Sequence, residues 1–159
     1  MMSIMTIELH RDSRDDVSYP PEVPTMIPQA APTPAYITTH DAIIYAMETY
    51  LEGIREGNSS IMRLAFHPAA TFFGYYPGGV MEGSADALFD WIDKNGPAPD
   101  IQARYAGVEI IGKIALVRLE LEGLSGTLAG TNVSMSDVFT LMQTDSGWKI
   151  MQKAFHWHM

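Results

Sequence analysis

No cysteine occurs anywhere in the 159 residues. That absence removes disulfides, thiolate nucleophiles and cysteine-built zinc or iron–sulfur centres at once, and it fits a reducing compartment. Basic charge is scarce as well: 10 Lys and Arg stand against 19 Asp and Glu, a formal net charge of −9. Phosphate backbones and anionic membranes are held by basic stripes, so the expectation is no nucleic acid and no membrane as partner. No apolar run comes near the roughly 20 residues that cross a bilayer. Glu8, His10, Arg11 and Asp12 interrupt the amino-terminal stretch before a signal-peptide core could form. A phosphate-cradling glycine loop, a serine nucleophile elbow and a helical zincin motif are missing too. What these absences leave is a soluble, cytoplasmic, acidic protein with one core of ordinary size.

Proline is unevenly placed. Six of the ten prolines, Pro20, Pro21, Pro24, Pro28, Pro32 and Pro34, fall within residues 1–39. Each removes an amide donor and favours extended backbone, so residues 1–37 are expected to be an arm, either a plain flexible tail or one that docks on a neighbour. Tyr19, Met26, Ile27 and Tyr36 are its apolar anchors. The folded domain is expected over residues 38–159.

Thr38 or Thr39 can cap a first helix whose Ile43, Met47, Tyr50, Leu51 and Ile54 follow helical spacing, and Gly57 supplies its left-handed end. Ser59 or Ser60 is expected to cap a second, shorter helix with Ile61, Leu64 and Phe66 inward, stopped by Pro68. Residues 70–76 read as a strand and residues 80–82 as a short return strand after Pro77-Gly78-Gly79. A third helix follows, from a Ser84 cap to Asn95–Gly96, burying Leu88, Trp91 and Ile92. The pattern then alternates with period two over residues 101–111, 113–122, 133–143 and 148–158, predicting four long strands. Helices first and antiparallel strands second give an α+β domain with a curved antiparallel sheet and three amino-terminal helices on its concave side.

Four segments carry a family resemblance. They are Tyr50-Leu51-Glu52-Gly53-Ile54-Arg55-Glu56-Gly57-Asn58, then Ala65-Phe66-His67-Pro68-Ala69-Ala70, then Gly74-Tyr75-Tyr76 through Glu82-Gly83. The fourth is the closing hairpin Asp137-Val138-Phe139-Thr140-Leu141 with Asp145-Ser146-Gly147-Trp148-Lys149-Ile150. In this order they resemble the nuclear transport factor 2-like superfamily, most closely its putative lumazine-binding branch, beside the SnoaL-like cyclases. The resemblance covers residues 38–158. It implies a cone whose sheet and helices enclose a pocket. For function it implies an isomerase, dehydratase or cyclase, or else a non-catalytic binding or assembly domain, so the site must carry that choice.

Strand parity then selects the inward residues. On the last strand Trp148, Ile150, Gln152, Ala154, His156 and His158 share one face; Lys149, Met151, Lys153, Phe155 and Trp157 share the other. Lysines belong in water, which assigns the first set to the pocket and leaves Met151, Phe155 and Trp157 outside for a second copy to cover, as a homodimer. A β-bulge in that strand would reverse the parity beyond it. Pairing Gln143 with Trp148 sets Asp137 diagonal to His156, where a carboxylate can orient an imidazole as general base. A structural Asp–His hydrogen bond is the alternative. Tyr75 or Tyr76 can stabilise developing oxyanion charge, and Tyr50, Phe73, Trp91, Phe139, Gln152 and His158 are expected to bind substrate. His67 caps exposed helix carbonyls more readily than it catalyses. His156 and His158 could instead ligate a metal with Asp137 or His67, but no spacing demands it, so neither metal nor cofactor is expected.

The sequence therefore predicts a homodimeric cone binding a small, largely apolar organic molecule and acting by cofactor-independent proton transfer. The alternative is a non-catalytic ligand-binding or assembly domain of the same fold.

Overall fold

The computed structural model describes residues 34–131 and 133–158. The expected arm over residues 1–37 falls outside these residues except for 34–37, which begin the first helix, α1 (Pro34–Glu56). Thr38 and Thr39 therefore lie within that helix and do not cap it. Proline is suited to a first helical turn, where its missing N–H has no partner to lose.

At the far end of α1, Gly57 takes φ +59°. Gly57 N donates to Ile54 O at 3.1 Å and Asn58 N donates to Gly53 O at 2.9 Å, the paired bonds of a Schellman end. A Cβ on Gly57 would lie 2.4 Å from the Gly96 carbonyl carbon, so close approach excludes a side chain there as firmly as the dihedral does. Asn58, and neither Ser59 nor Ser60, caps α2 (Ser59–Arg63) by accepting from Ser60 N. Ser59 is turned to Asp93 on α3 (Ala85–Asn95), giving it a backbone bond of 2.9 Å and a hydroxyl bond of 2.8 Å. Ser84 caps α3 as expected, through Asp86 N.

The second helix stops at Arg63, short of Pro68, and β1 (Phe66–Tyr76) starts four residues earlier than residue 70. Leu64 is consequently exposed while Phe66 is buried. His67 lies in β1, where its Nδ1 accepts from Ala69 N at 3.1 Å, and it caps no helix. The irregular register between Phe66 and Thr71 accommodates Pro68, which cannot donate to a ladder.

After β2 (Gly79–Ser84) and α3 come β3 (Gln102–Ile111), β4 (Ile114–Leu124), β5 (Val133–Thr144) and β6 (Gly147–His158). They form one curved six-stranded sheet in the order β2-β1-β6-β5-β4-β3. Neighbours run antiparallel except β1 and β6, which are parallel and joined through everything between them. The core lies between the helices and the inner sheet face. It holds Ile43, Met47 and Leu51 of α1 against Val117, Leu119 and Leu121 of β4 and Phe139 and Leu141 of β5.

Between β5 and β6 the register slips: Thr140 pairs with Gln152 but Leu141 pairs with Ile150, leaving Met151 as an extra residue. This bulge decides the site. Trp148 and Ile150 face inward ahead of it; Lys153 and Phe155 face inward beyond it, with Trp157 packed on the core. The inward set expected from unbroken parity holds for two residues and reverses for the rest.

Candidate functional site

Three polar groups meet under the sheet. Asp137 of β5 is fully buried and Lys153 of β6 is 2 % exposed. Lys153 Nζ donates to Asp137 Oδ1 at 2.6 Å, and the Tyr50 hydroxyl of α1 donates to Asp137 Oδ2 at 2.9 Å. Lys153 Nζ also lies 3.7 Å from Met135 Sδ and 4.7 Å from the centre of the Phe155 ring, whose face attracts a cation. Among the described residues, no buried side-chain nitrogen or oxygen is left without a partner.

Burial sets the protonation balance of this trio. It pulls the Lys153 amine below the usual lysine value, against the carboxylate beside it. It pushes the Asp137 carboxyl up, against Lys153 and Tyr50. Burial followed by the Asp137 charge raises the Tyr50 phenol well above its ordinary 10, so it stays a donor. Both charged forms lose their hydration, so the ion pair and the neutral pair lie closer in energy than in water.

A slot opens above the lysine. Phe72 and Phe155 form one wall with rings inclined by only 14°, and Trp91 and Trp157 meet edge to face at 6.1 Å. Met81, Leu88, Ile92, Leu124 and Met135 complete the apolar lining, with Tyr50, Ile54 and Lys153. The slot has room for about 40 Å³ of water-sized occupancy and adjoins an outer depression of about 480 Å³ through the shared Met81, Trp91 and Trp157. The slot itself is narrow, and the outer depression that leads to it is open to solvent. The rim carries Tyr76, Pro77 and the segment with Leu128 and Ala129. Buried Asn95 fixes that segment: its Oδ1 accepts from Leu128 N and Ala129 N at 2.7 Å, and its Nδ2 donates to Ser125 O at 2.6 Å.

Against the expected site, the structure keeps some residues and moves others. Tyr50 and Trp91 line the slot, and Tyr76 stands at its rim, 6.4 Å from Trp157. Phe139 is core behind Tyr50, with ring centres 5.0 Å apart. Tyr75 is 61 % exposed and faces outward with Phe73, Gln152, His156 and His158. The expected Asp137–His156 pair does not form, because the bulge turns His156 to the opposite sheet face and sets Phe155 across from Asp137. Phe155 and Trp157, expected outside as a dimer surface, line the slot; Met151 is the half-buried bulge residue. On the outer face His156 neighbours Tyr75 and His158, and His158 Nε2 lies 2.8 Å from Ser136 Oγ. Among the described residues no three His, Asp or Glu side chains are grouped to hold a metal ion.

Lys153 is the residue that sequence reasoning missed. A signal existed: Asp137 shares its strand parity with Met135, Phe139 and Leu141, and an acid on a buried face needs a cation.

This helix order and sheet recur in known proteins. Residues 38–156 match the putative lumazine-binding family. The chain belongs to that family. It is 31 % identical to a nuclear transport factor 2-like protein from Shewanella baltica OS155, with 78 % of this chain and 97 % of that one aligned at a TM-score of 0.70. A nuclear transport factor 2-like protein from Methylobacillus flagellatus KT is 33 % identical, covering 77 % and 94 % of the two chains at a TM-score of 0.70. The aldolase FrzH of Cladobotryum sp is 27 % identical over 117 residues, 74 % of this chain and 90 % of that protein. The putative lumazine-binding domain described here is thus a nuclear transport factor 2-like cone. None of its described helices is long and apolar enough to cross a membrane.

Proposed function

We propose that this cone binds a small, flat, largely apolar organic molecule bearing a carbonyl group and moves protons at the carbon beside that carbonyl. Isomerisation, dehydration, cyclisation and aldol-type bond formation all begin with that step. The observation that carries the reading is the Lys153–Asp137–Tyr50 assembly at the wall of an otherwise apolar slot. A buried amine held by a carboxylate is a costly feature for stability alone, and paired groups of displaced pKa gather at sites of proton transfer. Lys153 and Tyr50 would hold or exchange protons at the ligand's oxygen, while the stacked rings exclude water. The similarity to the aldolase FrzH supports the same class of chemistry.

A substrate is not needed to test this. Flat ketones such as 1-indanone exchange the hydrogens beside the carbonyl with D2O whenever enolisation is catalysed, and NMR reads the loss. The full chain should accelerate exchange above buffer, and Asp137→Asn should abolish the gain. Ketones that raise the melting temperature without any exchange would identify a non-catalytic binding domain instead.

The outer sheet face presents Phe73, Tyr75, Leu116 and Val138 to solvent. We propose that a second copy of the chain covers them, making the homodimer that was expected from the sequence through a different set of residues.

A further inference from the structure

We propose that Lys153 is a nucleophile, whose amine condenses with the carbonyl carbon of a small flat ketone or aldehyde in the slot to form an imine. This rests on the slot being a small-molecule site and adds a covalent step to it. The geometry points there because of which group meets the ligand. Lys153 lines the slot, whereas Asp137 does not and sits behind it, tied by Oδ1 to Lys153 and by Oδ2 to Tyr50. A carboxylate acting alone as base would need to face the ligand. Here Lys153 and Tyr50 line the slot, and the carboxylate bonded to both is placed to take and return the amine's protons.

The step balances with these groups. The Lys153 ammonium passes a proton to Asp137, and the freed amine's lone pair forms a C–N bond to the carbonyl carbon. The Tyr50 hydroxyl, which lines the slot, gives its proton to the carbonyl oxygen, now a hydroxyl, and takes the proton held by Asp137, while one N–H proton passes to Asp137. That last proton, relayed from Asp137 through Tyr50, lets the hydroxyl leave as water; the C–O bond breaks, and a protonated C=N bond remains beside the Asp137 carboxylate. Nothing is oxidised or reduced. Burial pulls the amine's pKa down, toward the unprotonated state in which lysine attacks carbonyls. The imine draws electrons from the neighbouring C–H bond more strongly than the carbonyl did, which serves the proton transfer proposed above.

The chain itself supplies the controls. It has four lysines; Lys94 and Lys113 are exposed and Lys149 is half-buried. The full chain is treated with benzaldehyde and sodium cyanoborohydride, which reduces an imine to a permanent benzylamine, and labelled peptides are mapped by mass spectrometry. Lys153 should be labelled at least about tenfold faster than the other three near pH 7, and its rate should fall less than theirs between about pH 9 and pH 7. Lys153 left unlabelled, or labelled no faster than the others, overturns the proposal. Benzyl alcohol has the same ring without the carbonyl and is followed in parallel by melting temperature. A raised melting temperature with no fast label at Lys153 removes the imine and leaves the pocket intact; neither effect removes both. Lys153→Arg keeps the charge without the nucleophile, and should remove the fast-labelled site without raising the labelling of the other three lysines.

Discussion

Lys153 and Asp137 hold each other in a place where neither could stand alone. Both are within 3 % of complete burial as side chains, so water screens little of the cost of an unpaired charge. Removing one partner, as in Lys153→Met, should lower unfolding free energy by about 3–5 kcal/mol, the usual result of stranding a buried charge. Removing both should not. Lys153→Met with Asp137→Leu replaces an ion pair by apolar groups of similar volume, and such exchanges are neutral or stabilising by about 1–4 kcal/mol. The Tyr50 hydroxyl then loses its acceptor, which argues for adding Tyr50→Phe. The expected outcome, read by urea unfolding and ketone exchange together, is a triple variant as stable as the parent and without exchange activity. Retained exchange would place the chemistry elsewhere.

The element that makes this trio possible is β6, and its decisive feature is one surplus residue. With Met151 paired to nothing, Trp148 and Ile150 face the core from one parity, and Lys153 and Phe155 face it from the other. Deleting Met151 removes the surplus residue, so even alternation then keeps Ile150, Lys153, Phe155 and Trp157 on the inner face and His156 and His158 on the outer one. We expect that deletion to leave a folded domain, seen as a retained thermal transition; a lost transition would mean that the bend of the bulge is itself required for the fold. The helices, the strands and the α+β class were readable because apolar periodicity and turn residues act locally. The site was not, because a bulge displaces every later side chain while leaving the strand pattern intact. Even so, the apolar residues of β6 change parity between Ile150 and Phe155, which is the mark a bulge leaves in a sequence. The helical pair α2 and α3 carries its own test. Asp93 is held below the usual carboxylate range, first by the Ser59 N–H and then by the Ser59 hydroxyl. A lowered folded pKa adds stability that is complete above the ordinary value of 3.8 and disappears as pH falls through the folded one. Asp93→Asn should therefore melt below the parent at neutral pH, and the two melting curves should converge below about pH 4. A constant gap down to the lowest pH would show that the carboxylate's charge contributes nothing.

Seen whole, the cone has two unlike sheet faces, and the bulge assigned them. The inner face is apolar apart from the Lys153–Asp137 pair, and the helices cover it. The outer face mixes His156, His158, Ser136 and Glu120 with apolar side chains that no described element covers: Phe73, Tyr75, Leu116 and Val138 are 44 %, 61 %, 37 % and 46 % exposed. These four lie on β1, β4 and β5, so the apolar positions cross the sheet through the polar ones of β6. A stable pair of standard size buries about 800 Å² on each partner, and such an interface joins apolar anchors with polar groups in this way. Val138 lies on β5, opposite Ala154 of β6 and Arg118 of β4, near the middle of that face. Val138→Lys adds a buried charge to a dimer through this face and changes nothing inside the cone. Light scattering at micromolar concentration should give twice the chain mass for the parent and a single chain mass for Val138→Lys, with ketone binding in the slot retained by both. A monomeric parent would remove the dimer, and a variant that stays dimeric would move the interface to another face.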